Sequence, residues 1–202
     1  MANTRITAAI SIVIMATGIL VADEQNREGD RPAFFVHIEN LAAAPPEAIA
    51  GARDELAHIY DFAGVRVESS AEPDHDRCAL QLTVHVVLLA GERADRFIKK
   101  ENVKRRALAQ ANSDARRVYV FWDRVGPAVD HHAVGRGDAL GLVIAHELGH
   151  VLLPGRGHSR TGIMQENYNV YFSYRLTFTT EESAAMRGFI TAAQQRAQST
   201  RP

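Results

Sequence analysis

The chain has 202 residues, of which 46% are hydrophobic and 23% are charged, as is typical of one globular domain. Its formal net charge of −1 gives no excess of basic residues, so we expect neither nucleic acid nor an anionic membrane surface as a partner. The single cysteine, Cys78, excludes an intramolecular disulfide and a cysteine-rich zinc module. The nine histidines therefore provide most of the metal-binding capacity of the sequence.

The N-terminus predicts a secretory signal peptide. Residues 6–22 carry no charge, follow Arg5 and precede an acidic stretch. An apolar run of this length also lies at the lower limit for a membrane span, so an uncleaved N-terminal anchor is the alternative. Both interpretations place the rest of the chain outside the cytoplasm, either secreted or in the periplasm and cell envelope. We assign 1–22 to the signal peptide or anchor, 23–32 to a flexible tether and 33–202 to one folded domain.

Strand and helix patterns alternate along the first part of this domain. The segment 91–116 gives no clear pattern, and its basic run at 99–106 is interpreted as the solvated face of a helix. In chain order, the predicted elements are a strand at 34–38, an amphipathic helix from Pro45 to Gly64, and strands at 65–68, 80–89 and 118–125.

The last third of the chain predicts two helices. Residues 139–153 are apolar on nearly every side, which is the pattern of a buried helix, and Pro154 and Gly155 end it. A final amphipathic helix begins at Thr179 or Thr180, with Glu181 or Glu182 placed for a capping box. The order of elements predicts one α/β (α+β) domain with a sheet packed on two main helices.

The buried helix contains the motif His146-Glu147-Leu148-Gly149-His150. Residues four apart lie on one face of a helix, so the two imidazoles converge on one point and the neighbouring carboxylate reaches the same point. Burying such polar groups unpaired costs several kcal/mol, and a bound cation removes that cost. The alternative is a pair of core histidines hydrogen-bonded to backbone carbonyls.

A catalytic zinc site needs a third protein ligand. His158 is the first candidate, because glycines on both sides of Arg156 allow the chain to fold back under the end of the helix. Met164 is expected to pack beneath the three imidazoles. The alternative third ligands are downstream carboxylates, namely Glu166, Glu181 and Glu182.

The segment from His146 to Met164 resembles the metzincin clan of zinc metalloproteases, whose pattern is H-E-x-x-H-x-x-G-x-x-H followed by a methionine turn. The layout of the chain also resembles bacterial exported metalloproteases. The pattern departs from the clan at Leu153, which stands at the position of the glycine, so that Gly155 and His158 come two residues late. An extra half turn of helix before Pro154 would absorb this insertion.

The resemblance implies a metzincin-like catalytic domain at 33–202, with a twisted mixed sheet over the active-site helix and a C-terminal helix. It also implies one zinc ion and the roles of the site residues. Those roles are zinc ligands at His146, His150 and His158, a general base at Glu147, structural support from Gly155 and the turn methionine Met164, and an oxyanion-stabilising hydroxyl at Tyr168.

We therefore expect a monomeric zinc-dependent endopeptidase that acts on a peptide or protein substrate with Glu147 as general base. The alternative is an exported zinc-containing binding module without turnover. Glu147 favours the enzyme, because a purely structural site would close its fourth position with another ligand. Cys78 is expected to be inert, and His131 and His132 are expected in a surface loop.

Overall fold

The computed structural model describes residues 31–70, 82–126, 135–166 and 176–199. From Pro32 onwards the chain forms one unit. The predicted signal peptide at 1–22 and most of the predicted tether lie outside the described residues, so these assignments stay predictions. None of the helices within the described ranges has the length and apolarity needed to cross a membrane.

Strands and helices alternate along most of the domain. In chain order the elements are β1 (Ala33–Asn40), α1 (Pro46–Phe62), β2 (Arg66–Ser70), β3 (Thr83–Leu89), α2 (Gly91–Lys100), β4 (Ala109–Asn112), β5 (Arg117–Phe121), α3 (Trp122–Val125), α4 (Arg136–Leu152) and α5 (Thr180–Ser199).

The five strands form one mixed sheet in the order β2-β1-β3-β5-β4. Strands β2, β1, β3 and β5 run parallel to one another. Their register pairs Val36 with Val84 and Val86 with Val118. The last strand, β4, runs antiparallel to β5 and forms an edge of the sheet. The predicted fold class, a mixed sheet packed with helices and followed by a C-terminal helix, is confirmed.

One face of the sheet builds the main core. Alternate side chains of β1 and β3, such as Phe34 and Val84, pack with buried residues of α1, α4 and α5. The opposite face forms a smaller cluster, in which Phe121 and its neighbours are covered by Phe97 of α2. Because α4 packs against both the sheet and α1, its side chains have a fixed orientation.

Small residues let α1 and α4 approach closely. A Cβ atom placed on Gly141 of α4 would lie 2.7 Å from the Cβ of Glu55 and 2.9 Å from the carbonyl oxygen of Ala52, so only glycine fits there. The buried Tyr60 hydroxyl of α1 donates a hydrogen bond of 3.2 Å to the carbonyl oxygen of Ala145 in α4. These contacts fix the helix that carries the histidine motif against its neighbour.

Three sequence predictions differ from the structure or are sharpened by it. The strand predicted at 118–125 ends at Phe121, because its partner β3 ends at Leu89, and residues 122–125 form a helical turn. The unassigned segment 91–116 contains α2 and β4. Thr179 caps α5: its backbone N–H donates to Glu182 and its hydroxyl accepts from the Glu182 N–H, which forms a capping box.

Candidate active site

Helix α4 presents the motif residues toward an open groove. His146 is buried at 5% exposure, whereas Glu147 and His150 are partly exposed. The helix is apolar on all other sides, since its buried residues run from Ala139 to Leu152. Its position therefore comes from core packing, and the polar side chains are left at the one surface that faces the groove.

The chain turns back after α4 and brings a third histidine to the first two. The helix continues past His150 to Leu152, and the Leu153 N–H still donates to the Gly149 carbonyl oxygen at 2.9 Å. Gly155 then adopts a φ of +77°, which favours glycine. This half turn of extra helix absorbs the two-residue displacement of His158 that the sequence showed.

The nitrogen atoms of His146, His150 and His158 lie within 4.8 Å of one another. The Nε2 atoms of His146 and His150 are 3.2 Å apart, and the His158 ring lies 5.3 Å and 4.9 Å from the other two ring centroids. Two nitrogens bound at about 2.0–2.1 Å in a tetrahedral zinc site are roughly 3.3 Å apart. The donor set therefore fits a zinc ion.

The orientation of His146 is set by a hydrogen bond on its other nitrogen. Its Nδ1 lies 2.7 Å from the carbonyl oxygen of Ile163, which can only accept, so Nδ1 carries the proton and Nε2 is left with a lone pair. Burial lowers the pKa of His146 to about 4, and burial together with His158 also lowers the pKa of His150. Both imidazoles are thereby kept neutral, which is the form that binds a metal.

Glu147 lies beside the histidine cluster without belonging to it. Burial raises the pKa of its carboxyl group to about 7, although a hydrogen bond from the backbone N–H of Ala111 lowers it. A carboxyl group with a pKa near neutrality can both accept and return a proton at physiological pH. Strand β4, which contains Ala111, thus contacts the carboxylate as well as forming the edge of the sheet.

The groove in front of the cluster has a volume of about 870 Å³ and is lined by His146, Glu147, His150 and His158. Its other walls come from the loop before β4, from β4 itself and from the segment after α4. Two contacts between distant segments join these walls. The Ser113 hydroxyl donates to the His150 carbonyl oxygen at 3.0 Å, and Lys104 pairs with Glu166 at 3.3 Å.

The alternative third ligands have other partners. Glu166 pairs with Lys104, Glu181 pairs with Arg156 at 3.0 Å, and Glu182 caps α5. None of these three carboxylates joins a metal-binding cluster in the described part of the chain. The geometry therefore favours His158 as the third ligand.

Met164 lies beneath the site, where it is 1% exposed and packs against α4. A Cβ atom on Gly149 would clash with the sulfur atom of Met164, so the absence of a side chain at Gly149 leaves space for the methionine. The predicted oxyanion residue Tyr168 lies outside the described residues, as do Cys78, His131 and His132.

Gly149→Ala is expected to destabilise the protein by about 1–3 kcal/mol, because the new methyl group displaces Met164. Gly188→Ala is the matched control: it lies in α5 with no atom within 4 Å of the added Cβ, and is expected to stabilise the protein by about 0.5–1 kcal/mol. Urea unfolding measures both free energies. A Gly149→Ala protein as stable as the wild type would show that Met164 is not held in this way.

The pKa of His146 also predicts a pH-dependent stability in the metal-free protein. Its folded-state pKa of about 4 lies below the unfolded value of 6.5, so between these values the unfolded chain binds a proton that the folded chain does not. The free energy of unfolding should therefore fall as pH falls through this window, by about 3 kcal/mol from this group.

This effect is measured by urea unfolding of metal-free protein between pH 7 and pH 4. The comparison uses a Glu147→Gln background, because the raised pKa of Glu147 titrates with the opposite sign. Adding His146→Gln to that background should reduce the slope, while the lowered pKa of His150 leaves part of it. An equal slope with and without His146→Gln would contradict the assignment.

Comparison with known proteins gives matches only among solved structures: no protein-family model and no curated protein matches the chain. Archaemetzincin from Methanopyrus kandleri is 14% identical, covers 79% of this chain and 97% of its own, and has a TM-score of 0.47. A zinc-dependent peptidase from Methanocorpusculum labreanum is 12% identical, covers 75% and 99%, and also has a TM-score of 0.47. The site bears out the predicted metzincin resemblance in one respect, since His146, His150 and His158 form the three-histidine cluster that its pattern requires. At this identity and TM-score no property of either protein is carried over to this chain, and the chemistry follows from the site itself.

The sequence indicated the helix motif but not the groove around it. No contact was predicted from the sequence for Ala111, Ser113 or Ile163, whose backbone or side-chain atoms contact the motif residues. Each makes its contact through tertiary packing, across 17 residues for Ile163 and 37 for Ser113. Only the polar character of Ser113 offered any signal in the sequence.

Proposed function

We propose that this protein is a zinc-dependent endopeptidase. One observation carries the proposal: an ionisable carboxyl group, Glu147, lies next to three converging imidazoles in an open groove. A site that only stabilises the fold has no use for an unliganded carboxylate at this position.

His146, His150 and His158 would hold the ion. Zinc bound there supplies a Lewis acid that polarises a peptide carbonyl and promotes the ionisation of water. The protein contributes the orientation of the ligands, since the Ile163 carbonyl oxygen fixes the tautomer of His146 and core packing fixes the helix.

Glu147 moves the proton in the proposed reaction. As a carboxylate it accepts the proton of the attacking water, and as a carboxylic acid it donates that proton to the leaving amine. Burial raises the pKa of this carboxyl group to about 7 in the metal-free protein, which brings its two protonation states closer in free energy than they are for an exposed glutamate.

Strand β4 offers a binding edge for an extended peptide. The Leu108 carbonyl oxygen faces β5, where it accepts the Phe121 N–H at 2.9 Å, and the Ala111 N–H faces Glu147. Because successive residues alternate in direction, Ala109 and Ala111 direct their backbone groups away from β5 and toward the groove. A peptide can therefore add to this edge as a further strand through the backbone groups of Ala109 and the carbonyl oxygen of Ala111, since the Ala111 N–H is bound to Glu147.

Export of this activity is part of the proposal. The uncharged run at 6–22 supports a signal peptide or anchor, and hence a peptide or protein substrate outside the cytoplasm. The near-zero net charge supports a function without nucleic acid, and we expect a monomer.

Cleavage of a diverse peptide library by the purified, zinc-loaded protein tests the proposal, with products identified by mass spectrometry. We expect cleavage at internal peptide bonds that stops when a chelator removes the metal and returns when zinc is added. If zinc is retained and no peptide is cut, the protein is a zinc-containing binding module and the peptidase proposal fails.

A further inference from the structure

The sequence predicted that the basic run at 99–106 forms the solvated face of one helix. The structure shows that this prediction is wrong. Helix α2 ends at Lys100, and the following residues form a loop that leads to β4. Lys104 and Arg106 of this loop line the groove in front of the histidine cluster, whereas Arg105 between them is exposed and does not line it. The second half of the run therefore belongs to the wall of the proposed active site.

The charges of the groove wall are mostly paired. Glu101 pairs with Lys100 at 3.4 Å, and Glu166 pairs with Lys104 at 3.3 Å. Arg156, which lies between His150 and His158 in the sequence, pairs with Glu181 at 3.0 Å. Arg106 differs from these residues: among the described residues it has no ion-pair or hydrogen-bond partner.

Arg106 also lies along the proposed path of a bound peptide. It precedes β4 by three residues, and Ala111 at the other end of the strand contacts Glu147. Arg106 stands in the turn that leads into β4, where the Ala107 N–H donates to the Lys104 carbonyl oxygen at 3.0 Å, so a peptide that follows the β4 edge beyond Ala109 arrives at this turn.

We propose that Arg106 binds a carboxylate of the substrate, so that the groove selects acidic peptides. This inference rests on the proposed peptidase function, because it names the substrate class of the same site. The guanidinium is permanently charged and presents two parallel N–H donors to a carboxylate, which an amide of the same shape cannot match.

Glu166, a carboxylate in the same groove wall, does not pair with Arg106. Glu166 is held by Lys104 and Arg156 is held by Glu181, so within the described part of the chain Arg106 is the lining cation that has no acidic partner. The carboxylate has two possible sources, an acidic side chain inside the peptide or its C-terminal carboxylate. Both offer the same chemistry to Arg106.

Peptide binding tests the inference independently of turnover. The full-length, zinc-loaded Glu147→Gln protein is titrated into fluorescein-labelled ten-residue peptides, and binding is followed by anisotropy. Each peptide is made in a Glu and a Gln version, one position at a time, and with a free or an amidated C-terminus. We expect the acidic version to bind about 5- to 10-fold more tightly at one or two neighbouring positions or at the free C-terminus.

Two variants in this background separate a specific contact from general charge. Arg106→Ala should abolish the preference, whereas Arg105→Ala removes the same charge one residue away from the groove and should retain it. Arg106→Glu should shift the preference to peptides with Lys at the same position.

Equal binding of the Glu and Gln versions by the Glu147→Gln protein would overturn the inference. An equal loss of the preference for acidic peptides in the Arg105→Ala and Arg106→Ala proteins would also overturn it, as would the absence of any peptide binding. An Arg106-dependent preference in a protein that cleaves nothing as wild type would support the inference while the peptidase proposal fails. The two failures are therefore distinguishable.

Discussion

Glu147→Gln is expected to lower kcat/KM by about 10²–10⁴-fold while one zinc ion stays bound, because the amide can neither accept nor return the proton of the attacking water. The substitution leaves the three imidazoles and their supporting hydrogen bond from His146 to Ile163 in place. Peptide cleavage assays and metal analysis of the same preparation measure the two quantities.

Glu92→Gln is the matched control for this change. Glu92 lies in the first turn of α2, is exposed and does not line the groove, so we expect wild-type kcat/KM. Glu147→Gln activity within a few-fold of wild type would exclude Glu147 as the general base.

The second large effect concerns the third ligand. His158→Ala is expected to weaken zinc binding by more than about 100-fold, since the loss of a partner that merely orients a ligand already costs 10- to 100-fold. Glu166→Ala is expected to keep the wild-type affinity, because Glu166 pairs with Lys104 and lies outside the histidine cluster. Competition with a chromophoric chelator measures both affinities.

His158 is exposed, so its substitution is expected to leave the fold intact, and urea unfolding of the metal-free variant serves as a check. Zinc loss in Glu166→Ala combined with retention in His158→Ala would reverse the assignment and make the carboxylate the ligand.

The sequence predicted the elements whose patterns are strong and local. Helix α4 was predicted because residues 139–153 are apolar on nearly every side, and the only strongly polar residues of that stretch are those of the motif. The fold-back to His158 was predicted because Gly155 and Pro154 mark the end of the helix, and the structure adds the positive φ that requires the glycine.

The groove could not be predicted in the same way. Strand β4 has four residues, AQAN, of low intrinsic strand propensity, and it is a strand because β5 pairs with it. The basic run at 99–106 resembles a helix face locally, yet the chain leaves the helix at Lys100. Strand pairing and tertiary packing determine both the formation of β4 and the end of α2. A single sequence gives little information on such long-range contacts.

In the proposed site, three imidazoles hold one zinc ion beside an unliganded carboxylate. X-ray absorption at the zinc edge, recorded on the wild-type protein after dialysis, identifies the atoms bound to the metal. We predict one zinc per chain, with three imidazole nitrogens and one further light atom at about 2.0–2.1 Å. A protein that retains no zinc, or zinc bound by fewer than three imidazoles, would contradict the account.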